Sequence, residues 1–210
     1  MNPISIERSL RQVHADLKQC RACAKACGEA VHGPAVVTPV MLIGQAPGVH
    51  EGRLGRPFAF TAGKTLFKWL QQATGADEEN LRETVYFAAV TRCFPGKAKS
   101  GSGDRVPDRE EIENCRPHLV REVKALRPKL ILAIGRLAIG EVLGEKLFTK
   151  NTNLADVVGR KFAVEYHGVK LQVIPLPHPS GVSRWPVTEP GKTCLAKALK
   201  LVRREFRKLL

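Results

Sequence analysis

Three short runs of apolar residues, Val40 to Ile43, Val85 to Val90 and Leu130 to Ile134, limit the architectures open to this chain. Each is too brief for a helix and too uniformly apolar for a strand with one wet face, so each suits a strand covered on both sides. The segments between them carry apolar residues at helical spacing: Ile6, Leu10, Val13 and Leu17, then Leu66, Phe67, Trp69 and Leu70, then Ile112, Leu119, Val123 and Leu126. Pro107 and Asp108 make a helix start before the third set, and Pro128 a stop after it. Arg136 to Leu143 reads as a short helix, Phe162 to Tyr166 and Val169 to Ile174 read as a hairpin or sequential strands about Gly168, and a basic helix runs from about Thr193 to Leu209. This alternation predicts an α/β sandwich with a mostly parallel sheet, in which ligands sit beyond the carboxyl ends of the strands. With 210 residues, 43% of them hydrophobic, one domain spanning 1–210 is expected.

The 34 Lys and Arg against 20 Asp and Glu give a formal charge of +14. Such an excess favours a polyanionic partner, because each cation paired with a phosphate releases condensed counterions. Nucleic acid leads, although a basic enzyme whose charge only keeps it dissolved has the same composition. Met1 to Leu10 lacks the apolar stretch of a secretory signal and no run is long enough to span a bilayer. The expectation is a cytoplasmic monomer with no membrane partner.

Six cysteines in such a chain point to metal or cluster ligation, since cellular thiol buffers reduce disulfides. Cys20 and Cys23 form a CxxC at the end of the opening helix, where two sulfurs can converge on one centre; Cys93 and Cys115 need only be close in space. The spread does not match the compact two-pair spacing of a zinc ribbon. Spacing alone leaves zinc and an iron–sulfur cluster both open. Cys27 and Cys194 read as ordinary thiols, with Cys27 a competing ligand.

Gly44-Gln45-Ala46-Pro47-Gly48 follows the first strand, and its glycines permit a tight turn with backbone N–H groups close to a ligand. Alone it is a weak signal, as is His178-Pro179-Ser180 after the last strand. Gly63-Lys64-Thr65 and Gly191-Lys192-Thr193 end like a phosphate loop, but the first glycine of that motif would fall on Phe58 and Pro186, so neither qualifies. Gly96 to Arg105 is a basic loop rich in glycine and serine.

Taken together, the CxxC at Cys20 and Cys23, Cys93 in Val90-Thr91-Arg92-Cys93, Cys115 in Glu113-Asn114-Cys115-Arg116-Pro117, the Gly44 to Gly48 turn, Gly55-Arg56-Pro57-Phe58 and His178 to Ser183 resemble the iron–sulfur uracil-DNA glycosylases of families 4 and 5, from about Leu10 to Arg184. The resemblance implies a three-layer sandwich around a central, mostly parallel four-stranded sheet, with an N-terminal cluster-binding helix. It implies a 4Fe-4S cluster on Cys20, Cys23, Cys93 and Cys115, structural rather than redox. It also implies that Gly44, Gln45, Ala46 and Gly48 line the uracil pocket, that Phe58 stacks on the extruded base and that His178 meets uracil O2. A core aromatic and an ordinary loop histidine are the plainer identities of the last two.

The sequence departs from both families. Family 4 usually has Glu where Gln45 stands, its pyrimidine-reading Asn is replaced by Ala89 as is also typical of family 5, and the Asp favoured by family 5 is missing from Phe60, Thr61 and Ala62. Glu51 is the remaining acid expected to orient water, with His50 second. Ser180, Val182, Ser183 and Arg184 are expected at the DNA, with Lys97, Lys99 and Arg105 adding phosphate contacts. The expected activity is hydrolysis of deoxyuridine in DNA with free uracil as product. A non-catalytic or product-retaining binder of uracil- or abasic-site DNA is the alternative, and a cluster-dependent redox protein a weaker third.

Overall fold

Every residue of β1 (Val40–Gly44) and β3 (Leu130–Ile134) is buried, as strands covered on both faces require. A computed structural model of the chain describes residues 2–99, 103–181 and 183–210. Around those two strands stand α1 (Pro3–Gln19), α2 (Glu51–Leu54), α3 (Thr61–Thr74), α4 (Glu78–Thr84), β2 (Tyr86–Ala89), α5 (Arg109–Leu126), α6 (Gly135–Leu143), α7 (Leu154–Val157), β4 (Phe162–Tyr166), β5 (Val169–Leu176), a 3-10 turn at Trp185–Val187 and α8 (Gly191–Leu209). The sheet order is β2-β1-β3-β5-β4. All pairs are parallel except β4 with β5.

The sheet has five strands, one more than expected. The hairpin about Gly168 places β4 in the same sheet as an edge strand, where burial alternates instead of running continuously. Helices cover both faces and give the α/β sandwich, with α1 against α5 and α3 against α8. Asp108 caps α5 through a reciprocal pair: its carboxylate accepts the Glu111 N–H at 3.0 Å and Glu111 accepts the Asp108 N–H at 2.9 Å. The short α2, α4 and α7 were not expected, because four to seven residues show no helical period.

Between α1, β2 and α5 lies a buried polar chain. His14 Nε2 meets Tyr86 Oη at 2.8 Å, and Tyr86 donates to Glu122 at 2.6 Å. Glu122 pairs with Arg92, whose Nε donates to the Ala89 carbonyl at 3.0 Å. Burial holds His14 down to about 3, so its ring stays neutral and its contact with Tyr86 is a hydrogen bond between uncharged groups.

The strand order locates the site. The chain leaves β1 toward β2 on one side, then returns to lay β3 on the other, so the strand order reverses between β1 and β3. A crevice opens at the carboxyl ends on either side of such a reversal.

Candidate active site

The loops after β1, β3 and β5 emerge together at that crevice. Gly44 ends β1, and a Cβ there would stand 2.7 Å from Phe58 Cζ, so only glycine lets the Phe58 ring lie against the strand end. Gly135 follows β3 with φ +82°, and a Cβ there would meet the His178 ring at 3.1 Å. Phe58 and His178 therefore each rest on a glycine at the end of one of two neighbouring strands. Gln45 continues the strand through its carbonyl, which accepts the Thr91 N–H at 3.1 Å, and its side chain is half-buried.

Phe58 is held in a left-handed conformation, φ 54°, which costs a non-glycine residue about 1–3 kcal/mol. Arg82 holds it there. Its guanidinium donates to the Pro57 carbonyl at 3.0 Å and the Phe58 carbonyl at 3.2 Å, while lying 4.6 Å from the Phe67 ring centre. Gly63 completes the seat, since any Cβ would collide with the Phe58 carbonyl at 1.7 Å.

Two carboxylates flank the first turn. Glu51 is buried, and one of its oxygens accepts the Gly48 N–H at 3.3 Å. Burial pushes its carboxyl up to about 7, against the N–H groups of Gly48, Ala59 and Phe58, which favour the charged form. Asp104 arrives from the basic loop: its Oδ2 lies 3.4 Å from where a Cβ on Gly48 would be. Burial lowers the pKa of His178, and the charge acting on its imidazole in the opposite sense is that of Asp104. His178 Nδ1 accepts the Ser180 N–H at 3.3 Å. A ring nitrogen that accepts cannot carry the proton, so the neutral imidazole presents its N–H at Nε2.

On the opposite side of β2 the four expected cysteines line one cavity of about 100 Å³, together with Thr91, Arg92, Glu111 and Asn114. Asn114 donates to the Ala22 carbonyl at 3.1 Å, tying α5 to the CxxC turn, and Cys27 N–H donates to the Phe94 carbonyl at 2.8 Å. Among the described residues no three Cys, His, Asp or Glu side chains gather as the ligands of a single metal ion. The thiols instead line the wall of a shared cavity. Buried Thr91 Oγ1 and Arg92 Nη1 have no hydrogen-bond partner among the described residues, and both residues line that cavity. A set of four thiols with a buried cation and an unpartnered donor beside them suits an anionic sulfur-rich group. Burial pushes the Cys115 thiol up to about 11 and raises Cys23 and Cys93, so ligation must displace protons.

The residues expected at the DNA divide. Ser180, Ser183 and Arg184 lie on the loop between β5 and the 3-10 turn, with Arg184 exposed; Val182 lies outside the described residues. Next to them, Trp185 packs inward with its ring against Gly191. Lys99 is exposed. Lys97 pairs with Asp104 at 2.7 Å, and both forks of Arg105 donate to Glu111 at 2.6 Å. The phosphate contact expected of Arg105 is thus corrected: its guanidinium is spent on the helix cap.

The uracil DNA glycosylase superfamily model matches residues 31–203, which span the pocket loops and both downstream cysteines. The chain belongs to the uracil DNA glycosylase superfamily. A type-4 uracil-DNA glycosylase of Pyrobaculum aerophilum is 31% identical over 84% of this chain and 86% of its own, and one of Archaeoglobus fulgidus is 32% identical over 83% of each. A type-5 enzyme of Pyrobaculum aerophilum is 30% identical over 64% of this chain and 62% of its own. Arg82, Gly135 and Asp104 lie against the candidate site and were passed over in reading the sequence. Gly135 carried a usable signal, a glycine directly after an apolar strand, as Gly44 does. Arg82 and Asp104 carried none.

Glu51 makes stability depend on pH. Its native carboxyl keeps a proton up to about 7, while the unfolded one releases it near 4.5, so the native state binds more protons and loses stability as pH rises through that window. Glu51→Gln removes this loss. Its thermal midpoint should gain on the wild type from pH 5 to pH 8, and parallel curves would show that the carboxyl is not held neutral.

Proposed function

We propose that the chain is a uracil-DNA glycosylase, which flips deoxyuridine out of DNA and hydrolyses its N-glycosidic bond, leaving an abasic site and initiating base excision repair. The observation that carries this reading is the setting of His178: its ring rests on Gly135 at the strand-end crevice and its Nδ1 accepts the Ser180 N–H, which leaves Nε2 to donate. As the glycosidic bond breaks, negative charge collects on uracil, and a fixed N–H donor at O2 stabilises the transition state more than the ground state. Phe58, held by Arg82 and Gly44, supplies the face on which the flipped base stacks. Gln45, directly after β1, touches the base through its backbone or its amide. Glu51 holds the Gly48 and Phe58 segments in register by accepting their N–H groups, which leaves it less free to orient water than the sequence implied.

Flipping costs a few kcal/mol of unstacking. Ser180, Ser183, Arg184, Lys97 and Lys99 offset part of it through phosphate contacts, and the +14 charge draws the duplex in. The names of the type-4 relatives agree with this activity. The rival, a binder that retains uracil- or abasic-site DNA, draws on Gln45 and Ala89, which remove two polar groups that the resemblance leads one to expect.

We also infer that Cys20, Cys23, Cys93 and Cys115 hold a 4Fe-4S cluster. When bound, it supplies a rigid tie among the CxxC turn, the segment after β2 and α5. The chain's own part is to present four thiols around one cavity and to aim Arg92 Nη1 at it. Anaerobically purified protein should be brown and contain stoichiometric iron; stoichiometric zinc without iron would overturn the assignment.

His178→Ala should lower the single-turnover cleavage rate about a hundredfold or more, roughly 2.7 kcal/mol of transition-state stabilisation. Affinity for uracil-containing DNA should change far less. A variant that cleaves as fast as the wild type would remove His178 from the chemistry.

A further inference from the structure

We propose that Asp104 is a further catalytic residue, whose carboxylate orients the water that attacks C1′ of the flipped deoxyuridine and takes its proton. This rests on the glycosylase reading and adds to it a group from outside the two strand-end motifs.

The β1 loop has no carboxylate free for this task. Position 45 is an amide, and Glu51 is 8% exposed and committed to backbone N–H groups. Asp104 differs on both counts. Its side chain is 34% exposed, so water reaches it; its Oδ2 lies against the Gly48 turn, and its charge acts on the His178 ring.

The loop that carries it is braced. Arg105 N–H donates to the Gly96 carbonyl at 3.0 Å and Ala98 N–H to the Gly103 carbonyl at 3.1 Å, closing a short antiparallel ribbon. Lys97 fixes the carboxylate from one side at 2.7 Å, and Arg105 locks the base of the ribbon to Glu111 at 2.6 Å. A carboxylate held by a lysine through one oxygen keeps its other oxygen for water.

The step balances as follows. The C1′–N1 bond breaks and its electron pair passes to uracil, steadied at O2 by the His178 Nε2–H. Positive charge builds on the sugar, where the Asp104 carboxylate opposes it. Water oxygen bonds to C1′ while its proton moves to Asp104 and then to solvent, and the released uracil anion takes a proton from solvent.

The test is single-turnover cleavage of a uracil-containing oligonucleotide, with DNA affinity measured alongside. Asp104→Asn keeps an oxygen for Lys97 and the backbone ribbon, so affinity, iron content and melting temperature should hold. Cleavage should fall about a hundredfold. Asp104→Ala should recover part of its loss on addition of formate, a small carboxylate able to enter the gap, and Asp104→Glu should be less impaired than Asp104→Asn. Wild-type cleavage by Asp104→Asn would overturn the proposal. So would a loss of cleavage matched by a loss of DNA affinity, or a loss of cleavage in Asp104→Ala that formate leaves unchanged. A wild-type protein that does not cleave would instead overturn the glycosylase reading beneath it.

Discussion

The ion pair between Arg92 and Glu122 is the constraint on which the rest of the molecule depends. Arg92 is 1% exposed and Glu122 fully buried, so neither charge has water to fall back on. Leaving one of such a pair uncompensated costs about 3–5 kcal/mol, whereas replacing both by apolar groups is often neutral. Its retention makes sense through what it positions. Glu122 also takes the Tyr86 hydroxyl, which in turn meets His14, so α1, β2 and α5 share one hydrogen-bonded chain. Cys93 is the residue after Arg92, Cys20 and Cys23 lie in the turn that follows α1, and Cys115 is on α5. The pair thus fixes the frame around the sulfur-lined cavity before any cluster is present.

The same frame reaches the pocket. Residues between β2 and α5 carry Cys93 at one end and Asp104 near the other, and Arg105 secures that second end to Glu111 at the start of α5. Glu111 caps the helix on which Cys115 sits. The sulfur-lined cavity and the Gly48 turn are therefore tied to the same stretch of chain between β2 and α5.

The strands were legible because double-sided burial leaves an unbroken apolar run, and the long helices because their buried faces repeat. The helices of four to seven residues left no period to read, and β4 was legible as part of a hairpin but not as a fifth strand, since its register depends on β5. In the site, Gly44 and His178 stood out as strand-end residues within larger patterns. Asp104 did not, because its role arises from a ribbon closed by backbone hydrogen bonds inside a Gly- and Ser-rich loop, and composition there signals only flexibility. Arg105 was assigned to phosphate from its charge, yet Glu111 lies within reach and claims it. A cation near a helix cap is more cheaply satisfied inside the molecule than at a partner's surface.

The central claim is that this pocket breaks a glycosidic bond, and the most direct measurement follows both products from a duplex labelled in its uracil. The account predicts free uracil and abasic sites appearing in equal amounts, with the abasic strand cleaved by alkali. A duplex that binds the protein but stays intact and releases no uracil would contradict it.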